Sequence, residues 1–332
     1  MKAGKLSQSV LSRSVLKQLH SKNDRVLLGA SFGTDACVID TEPGEVQVLS
    51  VDPVTLTGVH IGRLAVCNAL NDIAAMGARP VGILSSILLP TSANETQLRA
   101  IIKEMDESCT QMGAQILGGH TEVTRAVQEP VLTVTGVGTV KKDKLLQPAN
   151  VLPGMDILVT KWIGLEGTAI LATEQEELLR TRYSQPFLDK AKAYVTLLSA
   201  VPEAAVAAKS GACAMHDASE GGVFGALWEF AEAAGVGLQI DLKKIPIRQE
   251  TIEICEFFDI NPYKLASQGA MIIAAADGNA VVRALAAQEI PAVVVGKATD
   301  SNDRVLLCDG ERRFLETPQT DELLHVERTR KE

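Results

Sequence analysis

Aromatic residues are scarce in this chain: two Trp, three Tyr and seven Phe among 332 residues, 4% in all. A core of useful size must therefore be built from Leu, Ile, Val and Ala, and the 46% hydrophobic content supplies them. Basic residues are outnumbered, 32 Lys and Arg against 41 Asp and Glu, for a formal net charge of −9. That balance speaks against nucleic acid as a main partner, and it serves solubility equally well. No run reaches the roughly 20 apolar residues that span a bilayer. The start, Met1-Lys2-Ala3-Gly4-Lys5-Leu6-Ser7, lacks the apolar stretch of a signal peptide. The expectation is a cytoplasmic protein without membrane association. The six cysteines, Cys37, Cys67, Cys109, Cys213, Cys255 and Cys308, contain no C-x-x-C pair, so neither a zinc site nor a redox motif is indicated. A Walker-type loop, a nucleophile elbow and a kinase signature are absent too.

What is present is organised in two halves. A short amphipathic helix is expected over 7–20, with strands at 25–29 and 46–52. A helix over 61–77 follows, then a buried strand at 81–89, the well-spaced helix 95–112 and a strand at 131–137. Pro148, Asn150, Pro153 and Gly154 then mark a boundary, dividing the chain into 1–152 and 153–332. Beyond it the pattern predicts strands at 156–161, 237–241, 270–275, 291–296 and 304–308. Helices are predicted near 167–174, 186–208, 221–234 and 249–258.

Four segments carry the chemistry. Gly33-Thr34-Asp35-Ala36-Cys37-Val38-Ile39-Asp40 and Ser50-Val51-Asp52-Pro53 place carboxylates at the ends of strand-like runs. Asn71-Asp72-Ile73-Ala74-Ala75-Met76-Gly77-Ala78 puts Asp72 inside a largely apolar helix, where a carboxylate is costly unless paired or bound to a cation. Gly118-Gly119-His120-Thr121-Glu122 follows an apolar pair, and glycines there let backbone N–H groups approach a phosphate. Hard cations take oxygen ligands, so the set reads as a Mg²⁺–polyphosphate site. Read singly, Asp35 and Asp40 also fit a strand with acidic ends, and Asp52 fits a turn. His120 fits a structural hydrogen bond, a phosphate contact or a proton carrier. In the second half, Gly164-Leu165-Glu166-Gly167-Thr168 and His216-Asp217-Ala218-Ser219-Glu220-Gly221-Gly222 each precede a helix. Those N-termini suit an anion, or simple capping by Asp217 or Ser219.

In order, these segments resemble the ATP-using superfamily of aminoimidazole ribonucleotide (AIR) synthetase (PurM), the hydrogenase maturation protein HypE, thiamin-monophosphate kinase and selenophosphate synthetase. The similarity is strongest to the HypE-like, AIR-synthase-related group and runs through Ser267-Gln268-Gly269. It implies an α+β fold of two AIR-synthase-like (PurM-like) domains, with the N-terminal domains pairing into a dimeric β-barrel. It implies Mg²⁺ on Asp35, Asp52 and Asp72. Gly33, Asn71, Gly118, Gly119 and Thr121 would then line ATP, and Gly164, Gly167, Asp217, Gly221 and Gly222 would face substrate or phosphates. His120 and His216 stand as candidate proton carriers.

The chain departs from the pattern at several points. Thr34 stands where relatives often carry an acidic residue, His120 where some carry Asp or Glu, and Gln268 where HypE proteins have an acid. HypE proteins end in a cysteine that is carbamoylated and dehydrated, whereas here Arg328-Thr329-Arg330-Lys331-Glu332 closes the sequence. The expectation is an ATP- and Mg²⁺-dependent enzyme that phosphorylates an oxygen of a small amide- or carboxylate-like substrate, without modifying its own tail. A thiamin-phosphate-type kinase and a nucleotide-binding maturation scaffold with a protein partner are the alternatives.

Overall fold

A computed structural model of the chain describes residues 26–28, 33, 37–55 and 57–329, with Gln8. Apart from Gln8, the helix expected over 7–20 lies outside the described residues, and so does Asp35. The N-terminal half runs β1 (Val26–Leu28), β2 (Cys37–Glu42), β3 (Glu45–Val54), α1 (Ile61–Ala75), β4 (Arg79–Pro90), α2 (Glu95–Gln111), β5 (Gln115–Thr124) and β6 (Val131–Lys141). Its six strands form one sheet in the order β1-β2-β3-β6-β4-β5, antiparallel except for the β4–β5 pair. Alternation decides the faces: Val46, Val48, Ser50 and Val54 of β3 are buried while Val51 is exposed. α1 lies close on the buried face because Gly136 and Gly138 carry no Cβ; one added there would meet Ala69 O at 2.7 Å and Ile73 Cγ2 at 2.2 Å. The other face shows Val51, 59% exposed, and Leu84, 46% exposed.

The C-terminal half contains β7 (Asp156–Thr160), α3 (Leu165–Glu174), α4 (Glu176–Leu179), α5 (Gln185–Lys192), α6 (Val201–Lys209), β8 (Ala212–Ala218) and α7 (Gly222–Ala234). It continues with β9 (Gly237–Asp241), α8 (Gln249–Phe258), β10 (Ala270–Ala275), α9 (Gly278–Ala286), β11 (Ala292–Thr299), β12 (Arg304–Cys308), β13 (Glu311–Phe314) and α10 (Leu323–Thr329). Seven strands pair in the order β13-β12-β9-β11-β7-β10-β8. Both faces of the sheet's middle are covered. Ala270, Ile272 and Ala274 of β10 pack with α7 residues, and Met271, Ile273 and Ala275 pack with Ala204, Val281 and Leu285 of α6 and α9. This explains the unbroken apolar run of β10.

The single helix expected over 186–208 is broken. α5 tightens into a 3-10 turn at Ala193–Leu197, and α6 restarts with Pro202 in its first turn. The stretch between them is held from outside. The Asn71 side chain donates to Leu198 O (2.9 Å) and accepts from Ala200 N (2.8 Å), while Lys161 Nζ donates to Leu197 O and Ser199 O at 2.6 Å each. Asn71 is wholly buried and so acts as a brace between the halves. One core continues across that junction, from Leu70 and Met105 to Leu165, Leu188, Leu323 and Val326. The cysteines at its heart behave as small hydrophobes; burial pushes the Cys67 thiol up to about 12.

Candidate functional site

The N-terminal sheet brings two of the expected metal ligands together. Asp52 lies on β3 two residues from Ser50, hence on the same face, and Asp72 reaches that face from α1. Ser50 Oγ lies 3.1 Å from Asp52 Oδ2 and within a short hydrogen bond of Asp72 Oδ2. A hydroxyl has one proton, so two carboxylates converge on a single donor. Both are half-buried, which concentrates negative charge at one spot on the sheet. Among the described residues no three His, Cys, Asp or Glu side chains form a set that holds a metal ion. The pair therefore brings two carboxylates together; Asp35, the third residue expected with them, lies outside the described residues. Ser50 does not stand out in the sequence, although its two-residue spacing to Asp52 is a signal for it.

The loop that leaves β3 just beyond Asp52 borders an open cavity of about 590 Å³, lined also by residues 127–131 and by Glu174 at the end of α3. The Thr57 hydroxyl donates to Glu174, tying this loop to the C-terminal half. Glu104 of α2 serves as cap for α1, accepting from Gly62 N at 3.2 Å and pairing with His60 at 3.1 Å.

The glycine-rich motif lies elsewhere. Gly118, Gly119, His120 and Thr121 sit within β5 rather than at a strand end. Asp52 pairs with Val134, Val134 with Ser85, and Ser85 with Gly119, so Asp52 and Gly119 share one row across the sheet. Three strand spacings separate them, about 14 Å. A Cβ on Gly119 would lie 2.0 Å from Ser85 O, so close strand approach alone requires glycine there. His120 is exposed, with Nε2 3.3 Å from Glu122. His216 is buried on β8, 3.5 Å from Glu229 of α7 and stacked on Phe230. The two candidate proton carriers are therefore in different halves and opposite environments.

The helix starts of the C-terminal half converge on the segment 265–268. Gly164 N donates to Ser267 Oγ (2.8 Å) and Gly167 N to Ala266 O (3.0 Å). Gly222 packs so that a Cβ would meet Tyr263 O at 2.5 Å. Gly221 N is not left open for a phosphate: it donates to Asp321 Oδ2 at 2.7 Å, a carboxylate that also accepts from Ala266 N and Leu323 N. Nothing near Asp321 in sequence announces this role, which arrives from 100 residues along the chain. Asp217 is buried in the same region, and Glu166 accepts from Gln268 N at 3.4 Å. Burial, reinforced by Asp321, Asp217 and Glu220, pushes the Glu166 carboxyl up to about 8. Burial likewise raises Asp321 to about 6 against the pull of its N–H donors. Among the described residues neither end of the Gln268 carboxamide, wholly buried beside Glu166, has a protein partner.

Fold and site together define a two-domain α+β protein of AIR-synthase architecture with an acidic centre on its first sheet. The chain belongs to the AIR synthase related family: the model of the family's N-terminal domain matches residues 33–140 and that of its C-terminal domain residues 153–309. A protein of Methanocaldococcus jannaschii named for hydrogenase expression and formation is 29% identical over 333 residues, 97% of each chain. The carbamoyl dehydratase HypE of Rhodobacter capsulatus is 29% identical over 268 residues, 77% of this chain and 76% of its own. Among solved structures, a HypE–HypF complex matches with a TM-score of 0.77 at 21% identity, over 93% of this chain and 100% of that one. HypE bound to ATP matches with a TM-score of 0.72 at 20% identity, over 97% and 98%. At such identities these structures establish the fold. Among the described residues, no helix is long and apolar enough to cross a membrane.

Proposed function

We propose that this protein is an ATP- and Mg²⁺-dependent enzyme that transfers the γ-phosphoryl group to an oxygen of a small amide- or carboxylate-like substrate, in the manner of its carbamoyl dehydratase relatives. The observation that carries this reading is the convergence of Asp52 and Asp72 on the one Ser50 hydroxyl. Two carboxylates sharing one proton donor fit a hard divalent cation, for which Asp52, Asp72 and Asp35 would be the ligands. Bound Mg²⁺ neutralises charge on a triphosphate and on the group in transfer. The cavity of about 590 Å³ that begins at Thr55, three residues beyond Asp52, has the size of a small-molecule site, and in this reading it holds the nucleotide. Glu166, protonated at neutral pH, is the proton-holding group at the helix starts of the C-terminal half.

Titration with a non-hydrolysable ATP analogue, with and without Mg²⁺, tests the site. Saturable binding that requires Mg²⁺ is expected, and absence of binding would remove the proposal. Turnover distinguishes the chemistry. A dehydrating reaction releases free phosphate with substrate, whereas a kinase of the thiamin-phosphate type leaves a stable phosphorylated product.

The open face of the N-terminal sheet, with Val51, Val81 and Leu84 exposed, supports a homodimer formed through this half. Sedimentation should then find wild type as a dimer and a Val51→Glu, Leu84→Glu variant as a folded monomer. A wild type that stays monomeric would overturn the pairing. A protein partner in a maturation pathway is proposed on the strength of the HypE–HypF complex alone.

A further inference from the structure

The C-terminal half holds a second cavity, about 350 Å³, which the proposed reaction does not use. It lies between α7, β12 and the segment 313–320 that crosses in front of them. Its apolar wall includes Phe224 and Tyr263, whose rings stack with centroids 4.9 Å apart and planes at 12°. Leu306 and Leu315 complete that wall, and the volume falls at the lower end of small-molecule sites.

Gly225 is an independent sign that the space is kept open. It lies inside helix α7, where glycine is less favourable than alanine. Among the described residues packing does not require it, since an added Cβ would meet Glu220 O at an ordinary 3.6 Å and no other heavy atom within 4 Å. The space that a side chain would fill there belongs to the cavity wall.

Charge at the cavity is unequal. Lys264 and Arg313 are both on its lining, against Glu316 as the one carboxylate among the described lining residues, which pairs with Lys264 at 2.9 Å. Arg313 is 72% exposed and its contact with Glu311 is a surface pair, weak by nature. A flat apolar wall with a surplus of one positive charge selects a flat ring with one negative charge.

We propose that this cavity binds a planar aromatic monocarboxylate, with its ring against the Phe224–Tyr263 pair and its carboxylate toward Lys264 and Arg313. The test uses 2-naphthoate as probe and naphthalene-2-carboxamide as its neutral counterpart, on the whole chain. Saturable binding of 2-naphthoate is expected, weakened about tenfold by Gly225→Leu, which fills the cavity. Gly225→Ala is the milder variant: it should melt higher than wild type and still bind the probe less tightly. Arg313→Gln should weaken the carboxylate and leave the carboxamide unchanged. Cys308 lines the cavity and gives a direct readout, because bound naphthoate should slow its alkylation while leaving the half-buried Cys213 at its own rate. Failure of 2-naphthoate to bind, equal binding by wild type and both Gly225 variants, or unprotected Cys308 would each overturn the proposal.

Discussion

At pH 9 a Glu166→Gln variant should melt above the wild type by about 5 °C or more, and the gap should shrink to about 2 °C at pH 5. The sign follows from the carboxyl's position. Folding raises it from an ordinary 4.5 to about 8, chiefly by burial and then by the neighbouring Asp321. Between those two values the folded chain holds a proton that the unfolded chain has lost, so stability falls as pH rises through the interval. A tenfold change in protonation equilibrium is worth about 1.4 kcal/mol, and the full penalty above pH 8 is several such steps. The substituted carboxamide keeps the acceptor for Gln268 N and removes the charge. Asp321 adds a smaller penalty of the same sign between 3.8 and about 6. Thermal melts of both proteins across pH 5–9 measure this directly. A gap that is constant with pH would show that Glu166 ionises without difficulty in the folded state.

Asp72→Asn should reduce Mg²⁺-dependent turnover by about 10²-fold or more, the size expected when several kcal/mol of charge stabilisation are removed. The fold should survive, because an asparagine oxygen still accepts from the Ser50 hydroxyl that Asp72 now engages. Titrating the ATP analogue against the variant separates this from simple loss of nucleotide binding. Without the carboxylate, affinity should cease to depend on Mg²⁺, while a triphosphate without metal should bind at least as well, since one repelling charge is gone. An unaltered Mg²⁺ response in Asp72→Asn would remove this residue from the metal site.

Elements governed by local periodicity were legible in the sequence. The helix over 95–112 becomes α2, and the strand at 270–275 and helix at 249–258 coincide with β10 and α8. Asp72 drew notice through the cost of a carboxylate in an apolar helix, and Asp52 through its place at the end of a strand-like run. What stayed hidden depends on distant partners. The break at 193–200 is imposed by Asn71 and Lys161, and nothing in Ala193-Tyr194-Val195-Thr196-Leu197 itself forbids a helix. Gly118 and Gly119 read as a phosphate contact at a strand end, because glycines there let backbone N–H groups approach an anion, and they lie within β5 instead. The register with Ser85 explains why a glycine stands at 119 within the strand. Asp321 was invisible because its meaning comes wholly from Gly221, Ala266 and Leu323.

The brace at Asn71 also limits which sequences can keep this shape, and it does so from one side only. Its carboxamide grips main-chain atoms at Leu198 and Ala200, and every amino acid but proline supplies both groups. Positions 198 and 200 are thus free to change as far as their own packing allows. Position 71 must present an acceptor and a donor on one short planar group, a demand met there by asparagine. Substitutions that alter the angle between the halves should therefore map to the plug and not to its socket.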